Sequence, residues 1–174
     1  MKKIICGLIL ILSLTIFKEL SVSKKIIPDD AIRLRVLANS NSSYDQNVKE
    51  KVKTQLQSEV YTHLKDAANI DDARDIIKAN IGNFDKSIKK VMEKENYNIG
   101  YNIDFGYHYF PNKEYKGIEY DEGYYESILV KIGKGEGNNW WCVLFPPLCL
   151  LEAEESTEVE YKFFVQEIID KFLK

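Results

Sequence analysis

Apolar and polar positions alternate from Ala31 to Ala38, with Ile32, Leu34 and Val36 set against Arg33 and Arg35. That period of two predicts a half-buried strand. Asn39-Ser40-Asn41-Ser42-Ser43 follows, and side chains of these types bond nearby backbone, so the chain turns there. Ser43 and Gln46 have the S-x-x-Q spacing of a capping box. Val48, Val52, Leu56, Val60 and Leu64 then recur every four residues and predict a helix to about Asp66. A new start at Asp71 or Asp72 leads through Ala73, Ile76, Ile77 and Ile81, and after Gly82-Asn83 through Phe84, Ile88, Val91 and Met92 to about Glu95. One kinked helix and two separate ones fit that pattern equally.

From Asn96 the period changes. Tyr101, Ile103, Phe105, Tyr107 and Tyr109 alternate with Asn102, Asp104, Gly106 and His108, which predicts a strand with one aromatic face, ended by Pro111. A connection containing Gly117 and Gly123 leads to a second strand, Tyr125 to Ile132. After the loop from Gly133 to Asn138, the nearly apolar run Asn139 to Phe145 reads as a third strand, stopped by Pro146-Pro147. Beyond the acidic stretch from Glu152 to Glu158, Tyr161, Phe164, Val165, Ile168 and Phe172 mark an amphipathic helix over about 156–174. The expected class is α+β: an antiparallel, possibly mixed, sheet of about four mostly consecutive strands, with two or three helices on one face and a C-terminal amphipathic helix.

The N-terminus stands apart. Met1-Lys2-Lys3 precedes Ile4 to Phe17, fourteen residues without a charge, and Lys18 ends the run. A basic start before a short apolar stretch is the pattern of a secretory signal. A membrane span needs about 17–25 apolar residues, so residues 1–23 read as a signal peptide or an N-terminal anchor, cleaved or retained. Residues 24–174 are the expected single exported domain. Setting 1–23 aside removes three of the 24 basic and one of the 27 acidic residues, leaving a net charge of −5. That acidity supplies no electrostatic case for nucleic-acid binding. Aromatic residues make up 12% of the chain, and eight of the eleven tyrosines fall between Tyr97 and Tyr125, within the expected sheet.

Candidate chemistry is sparse. Gly133, Gly135 and Gly137 join two strand patterns, whereas a dinucleotide loop leads from a strand into a helix, so a hairpin connection requiring positive φ is the better reading. His63 and His108 lack metal-ligand spacing, and Glu154 and Glu155 suit a solvated helix start. No cofactor or small-molecule substrate is implied. Cys142, with His108 as base, would make an exported cysteine hydrolase acting on the cell wall; its apolar neighbourhood argues against a reactive thiolate. Cys142 and Cys149 flank the Pro-Pro turn and either close a small disulfide loop or serve as two buried free thiols. Trp140 and Trp141 project to opposite faces of a regular strand, one into the core and the other exposed or covered by the C-terminal helix.

The run Asn139-Trp140-Trp141-Cys142-Val143-Leu144-Phe145-Pro146-Pro147-Leu148-Cys149 resembles the stage II sporulation protein R family. So do Ile32-Arg33-Leu34-Arg35-Val36-Leu37-Ala38-Asn39-Ser40-Asn41-Ser42 with Asp45-Gln46 and Val48-Lys49, then Phe110-Pro111, Tyr115 and Gly123-x-Tyr125-Glu126. The likeness covers Ile26 to Leu151. It departs at Tyr120-Asp121-Glu122-Gly123, where the family usually has Leu-Pro-Ala-Gly, and at Lys134, where it usually has Glu. The resemblance implies an exported signalling protein of endospore formation, made in the forespore and sent into the space between forespore and mother cell. There it would activate a membrane-embedded aspartic protease of the mother cell that processes the sigma-E precursor. It would bind that protease through an exposed Tyr/Trp-rich face of the sheet, with Asn139, Trp140, Trp141 and Phe145 as candidate contacts. The N-terminal segment would engage the membrane at least during export.

Overall fold

A computed structural model describes residues 27–28, 30–115, 117–150 and 158–172. The predicted export segment lies outside them, as does the acidic stretch before the last helix. Among the described residues, no helix is long and apolar enough to cross a membrane.

β1 (Ile32–Leu37) lies inside a four-stranded sheet with β2 (Tyr101–Phe110), β5 (Gly123–Ile132) and β6 (Asn139–Phe145), in the order β2-β5-β1-β6. It runs parallel to β5 and antiparallel to β6, while β2 pairs antiparallel with β5. The sheet is therefore mixed. Its later strands are not consecutive neighbours, because β1 sits between β5 and β6. This corrects the hairpin reading of the glycine loop, which crosses the end of β1.

α1 (Ser43–Leu64) and α2 (Ile70–Lys94) cover one face. Ile32, Leu34 and Val36 meet Ile128, Val130 and Ile132 there, against Val48, Val52 and Leu56 of α1 and Ile77, Phe84 and Ile88 of α2. α2 continues through Gly82-Asn83, and space is open around Gly82, so no packing forces a break. The cap of α1 is Ser42 rather than Ser43: the Asp45 amide donates to the Ser42 hydroxyl oxygen at 3.1 Å.

A second cluster occupies part of the opposite face. Within the stretch read as a connection containing Gly117 and Gly123, a small hairpin forms, β3 (Lys113–Tyr115) with β4 (Ile118–Tyr120). Ile118 and Tyr120 pack with Phe110, Tyr125, Trp141, Val143 and Val165, the last from α3 (Glu158–Phe172). At the far end of α3, Phe172 meets Phe145 of the main core, with ring centroids 5.4 Å apart.

Candidate interaction surface

Pairing sorts the residues of β6 by face. Trp140 and Cys142 lie opposite Val36 and Leu34 on the helix side, and Trp141 and Val143 lie opposite Arg35 and Arg33 on the other. Trp141 packs edge-on against Tyr120 at 5.0 Å and Phe110 at 5.5 Å, and only 8% of it is exposed. Phe145 is 1% exposed. Both are therefore packed side chains that leave little surface of their own. Asn139 and Trp140 keep partial access, and Lys53 Nζ stands 5.2 Å from the Trp140 ring.

Cys142 and Cys149 are joined as a disulfide, with Cα atoms 5.5 Å apart. Cys142 faces the helix side, whereas His108 pairs opposite Tyr125 on the other face, so the proposed dyad is not assembled. Replacing both cysteines by serine should cost about 2 kcal/mol, as expected for a loop this short. Denaturant unfolding checks this, and unchanged stability would assign the bridge no weight.

His108 is instead held at both nitrogens. Its Nδ1 lies 2.8 Å from Ser127 Oγ and its Nε2 lies 3.0 Å from Asp104 Oδ2. Gly106, between Asp104 and His108 on the same face, carries no side chain to intervene and pairs opposite Ser127. The order serine, histidine, aspartate invites a catalytic reading, but Ser127 is 0% exposed and offers no approach to a substrate. Beside it, Arg33 is 1% exposed within an aromatic cage: its guanidinium carbon is 3.3 Å from the Tyr125 ring, 5.1 Å from Phe110 and 5.2 Å from Trp141. Planar guanidinium stacks well on aromatic faces, and this charge serves to pack the second cluster.

At the other end of β1, the Asn-Ser turn folds around one carboxylate. Asp45 accepts from Ser40 Oγ at 2.5 Å, Tyr97 Oη at 2.5 Å and Asn39 Nδ2 at 2.8 Å. The Ser40 hydrogen bond first, then that of Tyr97, with Asn39 and Ser42 adding, holds Asp45 down at about 2 against the opposing effect of burial. Burial, and then its hydrogen bond to Asp45, raise the Tyr97 pKa. The glycine loop docks onto this turn: the Gly137 amide donates to the Ala38 carbonyl at 2.9 Å and the Asn138 amide to Asn41 Oδ1 at 2.6 Å. Gly133 and Gly135 have φ of 54° and 68°, while a Cβ at Gly137 would overlap the Ser40 carbonyl. The three glycines thus fit the loop to the turn.

The exposed aromatic surface lies elsewhere. Along β2, Tyr101, Ile103 and Phe105 pack on the helix-side core, but Tyr107 and Tyr109 on the same face extend beyond it. Tyr107 and Tyr124 are each 71% exposed and Tyr109 46%, with Tyr109 and Tyr124 in edge contact at 5.7 Å. Glu122 accepts from the Tyr109 hydroxyl at 2.8 Å and raises its pKa. Behind the cluster, Arg74 grips Glu126 through Nε at 2.7 Å and Nη2 at 2.8 Å and also bonds Asp71; the Glu126 contact chiefly holds the guanidinium charged. Sequence periodicity marked this aromatic face but not where its cover ends.

These features define a mixed-sheet α+β domain with a solvent-facing tyrosine cluster, and among the described residues no cluster of His, Cys, Asp and Glu fit to hold a metal. The family model described as Stage II sporulation protein R (spore_II_R) matches residues 28–155, and the chain belongs to that family of sporulation proteins. It is 43% identical over 135 residues to Stage II sporulation protein R of Bacillus subtilis (strain 168), a match covering 78% of this chain and 60% of that protein. The chain thus spans less than two thirds of that relative's length. No solved structure matches it.

Proposed function

We propose that the chain is an exported signalling protein of endospore formation that activates a membrane-embedded aspartic protease, which then processes the sigma-E precursor. Residues 1–23 carry it across the cytoplasmic membrane into the space between forespore and mother cell. Membership of the stage II sporulation protein R family is the observation that carries this reading. The exposed Tyr107, Tyr109 and Tyr124 support it, since clustered aromatics are the composition of protein-binding hot spots. A bound protein shifts a protease toward its active arrangement only by fitting that arrangement better, so the surface must discriminate between two states of the partner.

Adding the full chain to membranes that hold the protease and the sigma precursor should stimulate precursor cleavage. Cleavage at the same rate with and without the chain would overturn the activator role. N-terminal sequencing of the chain from sporulating cells reads out cleavage against retention.

A further inference from the structure

We infer that the free edge of β2, beside Tyr107 and Tyr124, takes an extended lysine- or arginine-bearing segment of a partner protein as an added strand. This rests on the reading that the chain works by binding a protein, and it names the mode and the chemistry of that binding.

Among the described residues, β2 pairs with β5 alone, in an unbroken ten-residue register from Tyr101↔Ile132 to Phe110↔Gly123. Long regular edges invite pairing with another chain, and proteins blunt them with proline, lysine, bulges or short strands. β2 has none of these devices: Tyr101 to Phe110 contains neither Lys nor Pro, and its register is unshifted. The phase of the edge follows from one bond. The Gly133 amide donates to the Gly100 carbonyl at 2.7 Å, so Asn102, Asp104, Gly106 and His108 face β5 with their backbone groups. Those of Ile103, Phe105 and Tyr107 point to the free edge. Farther along, Arg35 Nη1 takes the Tyr109 carbonyl at 2.7 Å, which closes that end.

Charge selects the occupant. Arg74 takes up Glu126, but of the other five acidic side chains in residues 101–126, set against Lys113 and Lys116, Asp104 stands on β2 itself and Glu122 bonds the Tyr109 hydroxyl. Exposed tyrosine rings beside that acidity suit cationic side chains, which gain both from ring faces and from carboxylates. A second copy would bring the same acidic arm against this one, and an anionic lipid surface would be repelled for the same reason.

The test uses the full chain and a blocked decapeptide alternating lysine with valine, at low salt, with amide exchange followed by NMR. At ten times its Kd the peptide should slow exchange of the Ile103, Phe105 and Tyr107 amides about tenfold. Combining Tyr107→Ala with Tyr124→Ala should weaken binding about tenfold, while the counterpart with glutamate in place of lysine protects nothing. Absence of protection, equal protection by the glutamate peptide, or the same protection from anionic vesicles or from dimers seen in sedimentation would overturn the inference. Peptide binding is read without the protease. Failed activation with intact peptide binding would therefore count against the proposed function and not against the edge.

Discussion

Asp45→Ala is expected to destabilise the domain by about 3 kcal/mol, because it removes the common acceptor of three side chains. Ser40, Asn39 and Tyr97 all donate to this carboxylate, and Tyr97 is buried at 5% exposure, where an unmade hydrogen bond is costly. At about 2–4 °C per kcal/mol for a domain of this size, Tm should fall by about 10 °C. The network also predicts a pH signature. The folded carboxyl, at about 2, lies below an unfolded aspartate near 3.9, so the native state binds the proton less tightly. Its contribution is complete above about pH 4 and is lost as pH falls through the folded value of about 2. Asp45→Asn should flatten stability against pH across that window, measured by denaturant unfolding at each pH. A variant as stable as the parent at pH 7, with the same acid slope, would sink this account.

Asp45 also shows why parts of the molecule were legible and others were not. The Asn-Ser run announces a turn from composition alone, but its donors converge on Asp45 of the next helix, where the Tyr97 hydroxyl, 52 positions beyond Asp45, donates as well. The same holds for the strands. Alternation in Ile32 to Leu37 marks a strand from local physics, yet it assigns Arg33 to solvent. Aromatic rings from β2, β5 and β6 enclose that guanidinium, and no local period contains them. Glycine spacing marked positive φ at Gly133 and Gly135, whereas the need for Gly137 comes from the Ser40 carbonyl brought there by the crossing of β1. Aromatic alternation in β2 was readable from end to end. Its division into a covered half and an exposed half depends on how far the helix-side packing reaches, which moved the candidate surface from Trp141 and Phe145 to the tyrosines.

Trp141→Ala should cost about 3–5 kcal/mol of stability, as large-to-small changes in packed aromatic sites do. Its ring meets Phe110, Tyr120 and Arg33, so the vacated space would loosen both the β3–β4 hairpin and the cage around a buried charge. Trp140→Ala should cost far less, about 1–2 kcal/mol, since that ring is only partly buried and loses a single cation contact with Lys53. The pair separates packing from partner contact, which neighbouring tryptophans in one run otherwise confound. Trp141→Phe keeps an aromatic edge against Phe110 and should recover most of the loss. In the cleavage assay, Trp141→Ala should then fail in proportion to its unfolded fraction and regain activity on cooling, with Trp141→Phe active throughout. Tyr107→Ala should show the opposite pattern, near-parental stability with weakened activation. A Trp141→Ala protein as stable as the parent yet inactive would return Trp141 to the binding surface and displace the tyrosines from it.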